Sequence, residues 1–464
     1  MAVSKTKITN YAGMTQSMGA VFSICYENDR VIMDFGSGFN PEISNYIKKD
    51  DNWIKDKLDL GLLPKIDYLY PEEYINGYDL KPYKPEVYNT AIFVSHLHLD
   101  HMSNIGAVHW DVPVYMSENA RKLEYTLEEI GQGVDSINRE YSVFENMQYV
   151  EVGKIKVLPI MNSPYSYNMY GFLIETPDCF IGYTADLSLC NEKPDMVLQE
   201  MEIFKERKLD LLYCDNCNFT DSVMQKLYGT LDPLEIPVDE RIPEGMLSFD
   251  QHYDKISRYY LEAPGLVVFN HYQREMLDAY KILQWAQTSH RKAVFEPDAA
   301  YLIWKFYNKD VDVYLNDNVD DIPWFSAMKS HCRIITREDI LKEPERYYLH
   351  ISYRNIDELF RLKVHNGTYI HAEGDPFSSR EIAIMKDKVH ATGYQFRNYD
   401  DEYYFQHGYP NMIRYFVDQI DPKVVIGYHG FYPERIPAKN GINLVPELYK
   451  VYHFENDRMV KEES

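Results

Sequence analysis

The sequence has few basic residues for its length and no long apolar run. Lys and Arg total 48 against 72 Asp and Glu in 464 residues, which gives a formal net charge of −24. Broad binding to nucleic acid rests on basic side chains that neutralise phosphates, so this charge argues against it. A narrow positive channel on an acidic body is not excluded, and bound divalent ions would add local positive charge. Since no apolar run approaches the length of a membrane span, we expect no membrane partner.

Cysteine is scarce and shows no disulfide-scaffold spacing. The six cysteines are Cys25, Cys179, Cys190, Cys214, Cys217 and Cys332. This usage is typical of a reducing compartment, and the polar first residues have no apolar signal core, so we expect a cytoplasmic protein. Cys214 and Cys217 form a lone Cys-x-x-Cys pair, for which two packed thiols at a strand end are favoured over a zinc knuckle or redox site. The sequence leaves open whether the chain forms a homo-oligomer.

A dense group of metal-ligand residues follows the apolar run 91–94, which predicts a buried strand. The group contains His96, His98, Asp100 and His101. In an extended backbone His96 and His98 point to the same face, so they can bind one ion together. Asp100 and His101 lie past the strand end, where a turning backbone can direct them to a second ion. Imidazole and carboxylate are ligands for Zn²⁺ and Mn²⁺ alike, so the pattern predicts a metallohydrolase without fixing its metal.

Other candidate residues come at the ends of later apolar runs. Asp34 closes one such run, where it either caps a turn or supports a metal-bound histidine. Asp186 follows another, where it either bridges two cations or caps a helix. His429 follows the run 424–428, and His407 precedes it by a short distance. Two divalent ions about 3.5–4 Å apart that shared Asp186 would suit hydrolysis of a phosphodiester.

The pattern of apolar runs predicts an α/β protein. Residues 20–26 and 30–35 predict a β-hairpin, and residues 37–90 predict short helices and loops. A stretch rich in proline, from about 220 to 250, is a candidate domain boundary. Beyond it, strands alternate with helices, one of them predicted over 271–289, which indicates a parallel sheet with helices on its faces.

The order of these motifs resembles the metallo-β-lactamase superfamily, and within it the β-CASP branch of nucleases that includes ribonuclease J. The resemblance rests on Asp34, the His-x-His-x-Asp-His signature, Thr184-Ala185-Asp186, Ala372-Glu373-Gly374-Asp375-Pro376, His407 and Tyr428-His429-Gly430. It implies a metallo-β-lactamase αββα sandwich with an inserted β-CASP α/β domain. The sandwich would then comprise residues 1–220 and 401–464, and the inserted domain residues 221–400.

The resemblance also implies a role for each matching residue. One or two ions of Zn or Mn would be held by His96 and His98 at a first site and by Asp100, His101 and His429 at a second, with Asp186 between them. His407 would face the scissile phosphate as a catalytic residue, and Asp100 would also orient the attacking water. Asp34 would support a ligand from behind, while Glu373, Gly374 and Asp375 would contact the substrate.

Two positions depart from the family pattern. Asn162 stands where the family has a histidine ligand, in a His-Ser-x-Pro-like stretch that here reads Asn162-Ser163-Pro164. Asparagine offers only a weak, neutral oxygen, so the first site is expected to bind poorly, to bind a different metal or to be empty. Ala372 and Glu373 replace the Ser and Gln of a Gly-Ser-Gln-Gly-Glu-Pro stretch, and a carboxylate there would repel phosphate.

We therefore expect a metal-dependent nuclease that hydrolyses phosphodiester bonds of RNA through a metal-activated water. One alternative is a related hydrolase of DNA or of a small phosphodiester. Another is a non-catalytic scaffold whose metal site has decayed, an interpretation that Asn162 and the acidic charge favour and the other ligands oppose.

Overall fold

The structure is a computed structural model that describes residues 4–15, 19–38, 52–134, 139–163, 169–315, 322–402 and 404–463. The chain divides into two compact units. The first unit comprises Met1–Arg121, Val134–Gly245 and Phe405–Ser464, and the second comprises Lys122–Gly133 and Met246–Tyr404. The sequence placed these divisions after residues 220 and 400. Two predicted features fall partly outside the described residues, namely segment 37–90 (at 39–51) and the Asn162-Ser163-Pro164 stretch (at Pro164).

The fold is a mixture of strands and helices. In chain order the strands are β1 Thr6–Ala12, β2 Val21–Tyr26, β3 Asp29–Met33, β4 Asn89–Phe93, β5 Val114–Met116, β6 Ser142–Val143, β7 Val150–Val152, β8 Ile155–Ser163, β9 Met169–Thr176, β10 Cys179–Tyr183, β11 Leu211–Asp215, β12 Val267–His271, β13 Lys292–Phe295, β14 Asp312–Tyr314, β15 Ile334–Ile335, β16 Tyr347–His350, β17 Thr368–Ala372, β18 Gln395–Asn398, β19 Val424–Tyr428, β20 Ile442–Asn443, β21 Val451–Glu455 and β22 Arg458–Lys461. The α-helices are α1 Trp53–Asp59, α2 Glu72–Ile75, α3 Leu99–Met102, α4 Glu118–Glu129, α5 Pro194–Arg207, α6 Asp221–Tyr228, α7 Phe249–Leu261, α8 Met276–Thr288, α9 Pro297–Tyr307, α10 Pro323–Met328, α11 Arg337–Lys342, α12 Ser379–Ala391 and α13 Pro410–Ile420. Short 3-10 helices lie at Ile105–Ala107, Pro233–Glu235, Lys329–His331, Pro344–Arg346, Tyr353–Phe360, Tyr399–Asp401 and Pro433–Arg435.

The first unit contains two sheets of mixed direction. The first sheet has the strand order β22-β21-β1-β2-β3-β4-β5-β6, and the second has the order β20-β19-β11-β10-β9-β8-β7. β2 and β3 pair antiparallel, from Phe22 opposite Met33 to Tyr26 opposite Asp29, which confirms the predicted hairpin. From β3 onward the first sheet continues in parallel through β4, β5 and β6.

The two sheets share one hydrophobic core. Alternate residues of β2, β3 and β4 contribute to this core together with alternate residues of β9, β10, β11 and β19, as expected for sheets with one apolar face each. Phe22 of the first sheet stacks on Tyr213 of the second, with ring centroids 3.8 Å apart, and meets Tyr183 edge-on at 5.1 Å. These aromatic contacts fix the spacing of the sheets directly beneath the ends of β10 and β11.

The second unit is built around a parallel sheet of order β15-β14-β13-β16-β12-β17-β18. Each of its strand pairs is parallel, which confirms the direction predicted from strand-helix alternation. The predicted helix 271–289 begins later than expected, at Met276, because His271 still pairs with Ala372 in the sheet. Helix α7 begins at a capping box in which Ser248 and Gln251 satisfy each other's backbone amides.

In the part of the chain that the structure covers, no helix is both long and apolar enough to cross a membrane.

Candidate metal centre

The candidate site lies where parallel strands of the first unit end. β3 and β4 run parallel in the first sheet, and β10, β11 and β19 run parallel in the second. Parallel strands place their carboxyl ends at one edge of a sheet, where polar residues that follow them can converge. The residues that do so here are Asp34 after β3, His96 and His98 after β4, Asp186 after β10, Asp215 at the end of β11 and His429 after β19.

A first ligand group consists of His96, His98 and Asp186. One ligand atom from each of these residues lies within 4.8 Å of the others. The rings of His96 and His98 are 4.5 Å apart, as the alternation of an extended segment predicts. His96 Nε2 lies 3.3 Å from Asp186 Oδ2.

A second ligand group consists of Asp100, His101 and His429, which also come within 4.8 Å of one another. The one-turn helix α3 carries Asp100 and His101, so the chain turns between His98 and these two residues. His429 Nε2 lies 2.7 Å from Asp100 Oδ2 and 3.2 Å from His101 Nε2. Two imidazole nitrogens at this distance repel each other through their lone pairs unless a proton or a cation lies between them.

Asp186 lies between the two groups. Its Oδ2 faces His96 of the first group, while its Oδ1 lies 3.1 Å from His101 Nε2 of the second. The carboxylate thus presents one oxygen to each group, the arrangement that a shared ligand of two cations requires.

Asp34 is hydrogen-bonded to the ring nitrogen of His101 that does not face Asp186. Its Oδ2 accepts a hydrogen bond of 2.7 Å from His101 Nδ1, and both side chains are fully buried. The Asp34 carboxylate also accepts from the Ser95 amide at 2.7 Å, from the Ser95 hydroxyl at 2.9 Å and from the Tyr183 hydroxyl. This network fixes the tautomer in which Nε2 of His101 is directed at Asp186. The sequence suggested Asp34, but Ser95 and Tyr183 carried no separate signal.

Three buried or partly buried carboxylates determine the electrostatics of the cluster. Burial lowers the pKa of His101, but Asp186, Asp100 and Asp34 outweigh it and raise that pKa well above its ordinary value. In the same way Asp186 and Asp100 overcome burial and raise the pKa of His429 to about 10. Burial, reinforced for His96 by the neighbouring His101, lowers the pKa of His96 and His98 to about 4 each. The carboxylates therefore favour the protonated forms of His101 and His429, whereas burial favours the neutral imidazoles of His96 and His98.

His407 lies beside the cluster, and its imidazole is hydrogen-bonded to a carboxylate. His407 Nδ1 donates to Asp215 Oδ2 at 2.7 Å, and His407 Nε2 lies 3.9 Å from Asp186 Oδ2. Burial lowers the pKa of His407, but Cys217, Asp215 and Asp186 outweigh it and raise the pKa well above the ordinary value. Asp215 has the same sequence signal as Asp186, an acid at the end of a buried parallel strand, but no sequence pattern indicated its partner.

The Cys-x-x-Cys pair separates in the structure. Cys214 is buried within β11, as the interpretation of a packed strand-end thiol predicts. Cys217 instead lies with His407 and His429, and one ligand atom of each comes within 4.8 Å of the others. Spacing alone could not reveal this, because both histidines come from the far end of the chain.

Asn162 is fully buried and points its amide at the backbone near Asp186. Its Nδ2 donates to the Thr184 carbonyl at 2.8 Å, and its Oδ1 has no hydrogen-bond partner among the described residues. The buried carboxyl of Glu200 is a neighbour of the Asn162 side chain, and burial raises the pKa of Glu200 well above its ordinary value. The neutral amide of Asn162 adds no charge to the first ligand group.

Glu373, Gly374 and Asp375 belong to the second unit, where they follow β17. Gly374 packs so closely on β12 that a Cβ atom would lie 2.8 Å from the His271 carbonyl. The Asp375 carbonyl accepts a hydrogen bond of 2.5 Å from Asn270 Nδ2. These contacts fix the loop within its own unit, and the predicted substrate contact of the loop stays a prediction.

The donor set fits divalent cations. His96 Nε2 and Asp186 Oδ1 are buried polar atoms with no hydrogen-bond partner in the described part of the chain, although each faces other ligand atoms. Such buried atoms cost free energy unless a cation or a proton satisfies them. Imidazole and carboxylate in this ratio suit Zn²⁺ and Mn²⁺ equally.

Comparisons with known proteins extend the description of the fold. No family model matches the sequence, and no curated protein matches it. The chain is similar to a solved protein of unknown function from Enterococcus faecalis V583, with a TM-score of 0.73 and 22% identity over 97% of this chain and 100% of that one. The two chains therefore share an α/β fold. A weak, partial similarity joins the chain to the metallo-beta-lactamase fold protein YhfI from Bacillus subtilis, with a TM-score of 0.29 and 15% identity over 47% of this chain and 76% of that one.

Proposed function

We propose that this protein is a metal-dependent phosphodiesterase of metallo-β-lactamase type, and that its substrate is RNA. The observation that carries the proposal is the position of Asp186, with one oxygen 3.3 Å from His96 Nε2 and the other 3.1 Å from His101 Nε2. The resemblance of the motifs to β-CASP nucleases supports the choice of a phosphodiester in RNA. The finer fold is part of the proposal: the two sheets of the first unit would form the αββα sandwich, and the second unit would be the inserted β-CASP domain.

The two ligand groups would each hold one ion. His96 and His98 would serve the first position, Asp100, His101 and His429 the second, and Asp186 both. When bound, such ions stabilise charge on the attacking and leaving oxygens of a phosphodiester and lower the pKa of a water. Asp100 accepts a hydrogen bond from His429 with one oxygen, Oδ2, which leaves Oδ1 to orient the attacking water.

His407 would contribute a positive charge to the phosphate. His407 Nδ1 donates a hydrogen bond to Asp215 Oδ2, so Nε2 is the nitrogen that faces Asp186. The charges of Cys217, Asp215 and Asp186 raise the pKa of this imidazole well above the ordinary value and so favour its protonated form. A protonated imidazole with Nε2 directed at the reaction site stabilises the developing charge on a phosphate and can donate a proton to the leaving oxygen.

The first position would bind its ion more weakly than the second. Among the described residues, His96 and His98 are the imidazoles of the first group, and the Asn162 amide nitrogen donates to the Thr184 carbonyl. In the second position two histidines and Asp100 combine with the shared Asp186. We therefore propose ordered loading, with the second position filled before the first.

We propose a cytoplasmic location on the basis of the cysteine thiols. The structure gives all six cysteines as free thiols, which suits a reducing compartment such as the cytoplasm.

A single variant tests the proposal. We expect His98→Ala to abolish cleavage of single-stranded RNA in Mn²⁺ or Zn²⁺ and to lower the metal content measured by elemental analysis. His390→Ala is the matched control, because His390 is exposed at the end of α12 in the second unit. Undiminished cleavage by His98→Ala would overturn the proposal.

Metal content and a substrate panel separate the alternatives. Two ions per chain support an enzyme, whereas none supports a scaffold with a decayed site. Parallel assays on RNA, single-stranded DNA and a small phosphodiester then distinguish a ribonuclease from a related hydrolase of another substrate.

A further inference from the structure

Cys217 occupies a position beside the proposed ion pair that the proposed reaction does not use. Its sulfur lies within 4.8 Å of one ring nitrogen each of His407 and His429, which also lie within 4.8 Å of each other. This trio shares His429 with the second ligand group but contains neither Asp100 nor His101. It therefore forms a distinct group of soft and borderline ligands beside the pair.

The backbone around Cys217 is fixed by hydrogen bonds. The Cys217 amide donates to Asp215 Oδ1 at 2.9 Å, and the Asn216 amide donates to the Tyr428 carbonyl at 3.0 Å. Gly430 packs against the same turn, since a Cβ on it would lie 2.6 Å from the Asn216 carbonyl. The turn that carries Cys217 is thus held against the turn that carries His429.

Cys217 differs from the other thiols of the chain in its neighbours. Among the described residues, it is the cysteine whose sulfur lies together with two imidazole nitrogens that can bind the same ion. A thiol binds a metal as the thiolate, so binding at this site is coupled to loss of the thiol proton.

Each histidine of the trio has a ring nitrogen that can serve as a metal ligand. His429 directs Nε2 at Asp100, while its Nδ1 is buried and has no hydrogen-bond partner among the residues described. His407 rests on Asp215 through Nδ1 and has Nε2 on the side of Asp186. An ion bound by this trio would therefore engage the imidazole that we assign to the phosphate.

We propose that Cys217, His407 and His429 form an inhibitory site for a soft divalent cation such as Zn²⁺ or Cd²⁺. Binding forms one metal–sulfur and two metal–nitrogen bonds and releases to solvent the thiol proton and any proton held on the two coordinating ring nitrogens, with no change of oxidation state. The ion withdraws His407 from the substrate and competes for His429. The inhibitory effect rests on the proposed phosphodiesterase activity, whereas the binding itself does not.

The ligand set predicts which ions inhibit. Thiolate selects soft ions over the hard Mn²⁺, which prefers oxygen ligands. We expect Mn²⁺ to support activity up to high concentration, and excess Zn²⁺ or Cd²⁺ to inhibit the Mn²⁺-loaded enzyme.

Cobalt provides a direct test of binding. Titration of the wild-type chain with Co²⁺ should produce the near-ultraviolet sulfur-to-cobalt charge-transfer band of a cobalt thiolate. The band should be lost in Cys217→Ser and kept in Cys332→Ser, a control thiol of similar partial exposure in the second unit. A wild-type chain that binds Co²⁺ without the band, or a band that survives in Cys217→Ser, overturns the proposal.

Two further measurements complete the test. Zinc should protect Cys217 of the wild-type chain from alkylation, mapped by mass spectrometry, without protecting Cys332; equal alkylation of Cys217 with and without zinc contradicts the site. In activity assays Cys217→Ser should raise the zinc concentration for half-inhibition by more than about tenfold, the lower bound for the loss of even an outer-sphere partner. An unchanged zinc sensitivity contradicts inhibition through this site.

The proposal and the proposed function can fail separately. His98 is not part of the trio, so His98→Ala should retain the cobalt–thiolate band while it loses the activity. A chain that shows the band but never cleaves a phosphodiester refutes the proposed function and supports the thiolate site.

Discussion

Asp34 and His101 form a fully buried pair in which Asp34 Oδ2 lies 2.7 Å from His101 Nδ1. The carboxylate thereby determines which nitrogen of His101 is available to the cluster. Both carboxylate oxygens of Asp34 accept hydrogen bonds from the surrounding donors, so this position requires a side chain with two acceptor atoms.

Asp34→Asn should weaken metal binding about 10- to 100-fold, the usual effect of changing the partner of a metal-bound histidine. The amide group would have to face donors from Ser95, Tyr183 or His101, and the charge that supports the imidazole would be lost. The measurement is zinc affinity by competition with a chelating dye. Asp29→Asn, on the partly exposed start of the same strand, is the control and should bind zinc normally. Equal affinities in the two variants would refute the assigned role of Asp34.

Asn162→His should raise the metal content of the first position. The substitution replaces a neutral amide by an imidazole in the stretch where the resemblance expects a ligand. Elemental analysis after dialysis against limiting zinc provides the measurement, with RNA cleavage as a second readout. If neither metal content nor activity changed, our account of this position would be wrong.

Gly36→Ala should lower both stability and metal content. A Cβ on Gly36 would lie 1.7 Å from the Asp100 carbonyl oxygen and 2.4 Å from the His101 amide nitrogen, so the backbone of two ligands must move. We expect the free energy of unfolding to fall by about 1–3 kcal/mol, as for overpacking of a core. Denaturant unfolding and zinc titration provide the two measurements.

Gly61→Ala is the control for this prediction. Gly61 has a φ of +71° with nothing within 4 Å of the added Cβ, so it introduces backbone strain without a collision. It should lower stability but leave zinc affinity unchanged. A normal zinc affinity in Gly36→Ala would contradict the close approach.

Asp278→Asn should change how stability depends on pH. Burial, and then the charge of Glu275, raise the pKa of Asp278 from 3.8 to about 8, while Tyr253 donates a hydrogen bond of 2.9 Å to it. The folded chain therefore keeps a proton that the unfolded chain releases above pH 3.8. The contribution of this group to stability falls as the pH rises from that value to about 8 and is constant above it.

The measurement is the urea midpoint at several pH values between 5 and 8. The stability of Asp278→Asn relative to wild type should rise with pH across this window. Asp254→Asn, an exposed acid on α7, should run parallel to wild type. A constant difference between Asp278→Asn and wild type would show that Asp278 is ionised in the folded chain.

The sequence predicted those parts of the fold and the candidate site that have a local signal. The hairpin of β2 and β3 and the parallel direction of the third sheet follow from periodicity within a few residues. The ligand-rich segment from His96 to His101 stands out for the same reason. The boundary of α8 was missed because His271 is fixed in the sheet by a partner about a hundred residues away in the chain.

The contacts of the site that the sequence missed are all long-range. The hydroxyl of Tyr183 reaches Asp34 from the other sheet, and Cys217 meets two histidines from the final part of the chain. Neither residue type in isolation indicates such a role. Asp215 had a recognisable position at a strand end, but only the fold shows that His407 is its partner.

The position of His429 in the chain has a consequence for biosynthesis. β19, which carries it, pairs with β11, although all of Met246–Tyr404 is translated between the two strands. On the ribosome His96, His98, Asp100 and His101 therefore emerge long before the last ligand. A nascent chain would expose an incomplete set of the candidate ligands, and the proposed pair of cations would be acquired only after translation has passed β19.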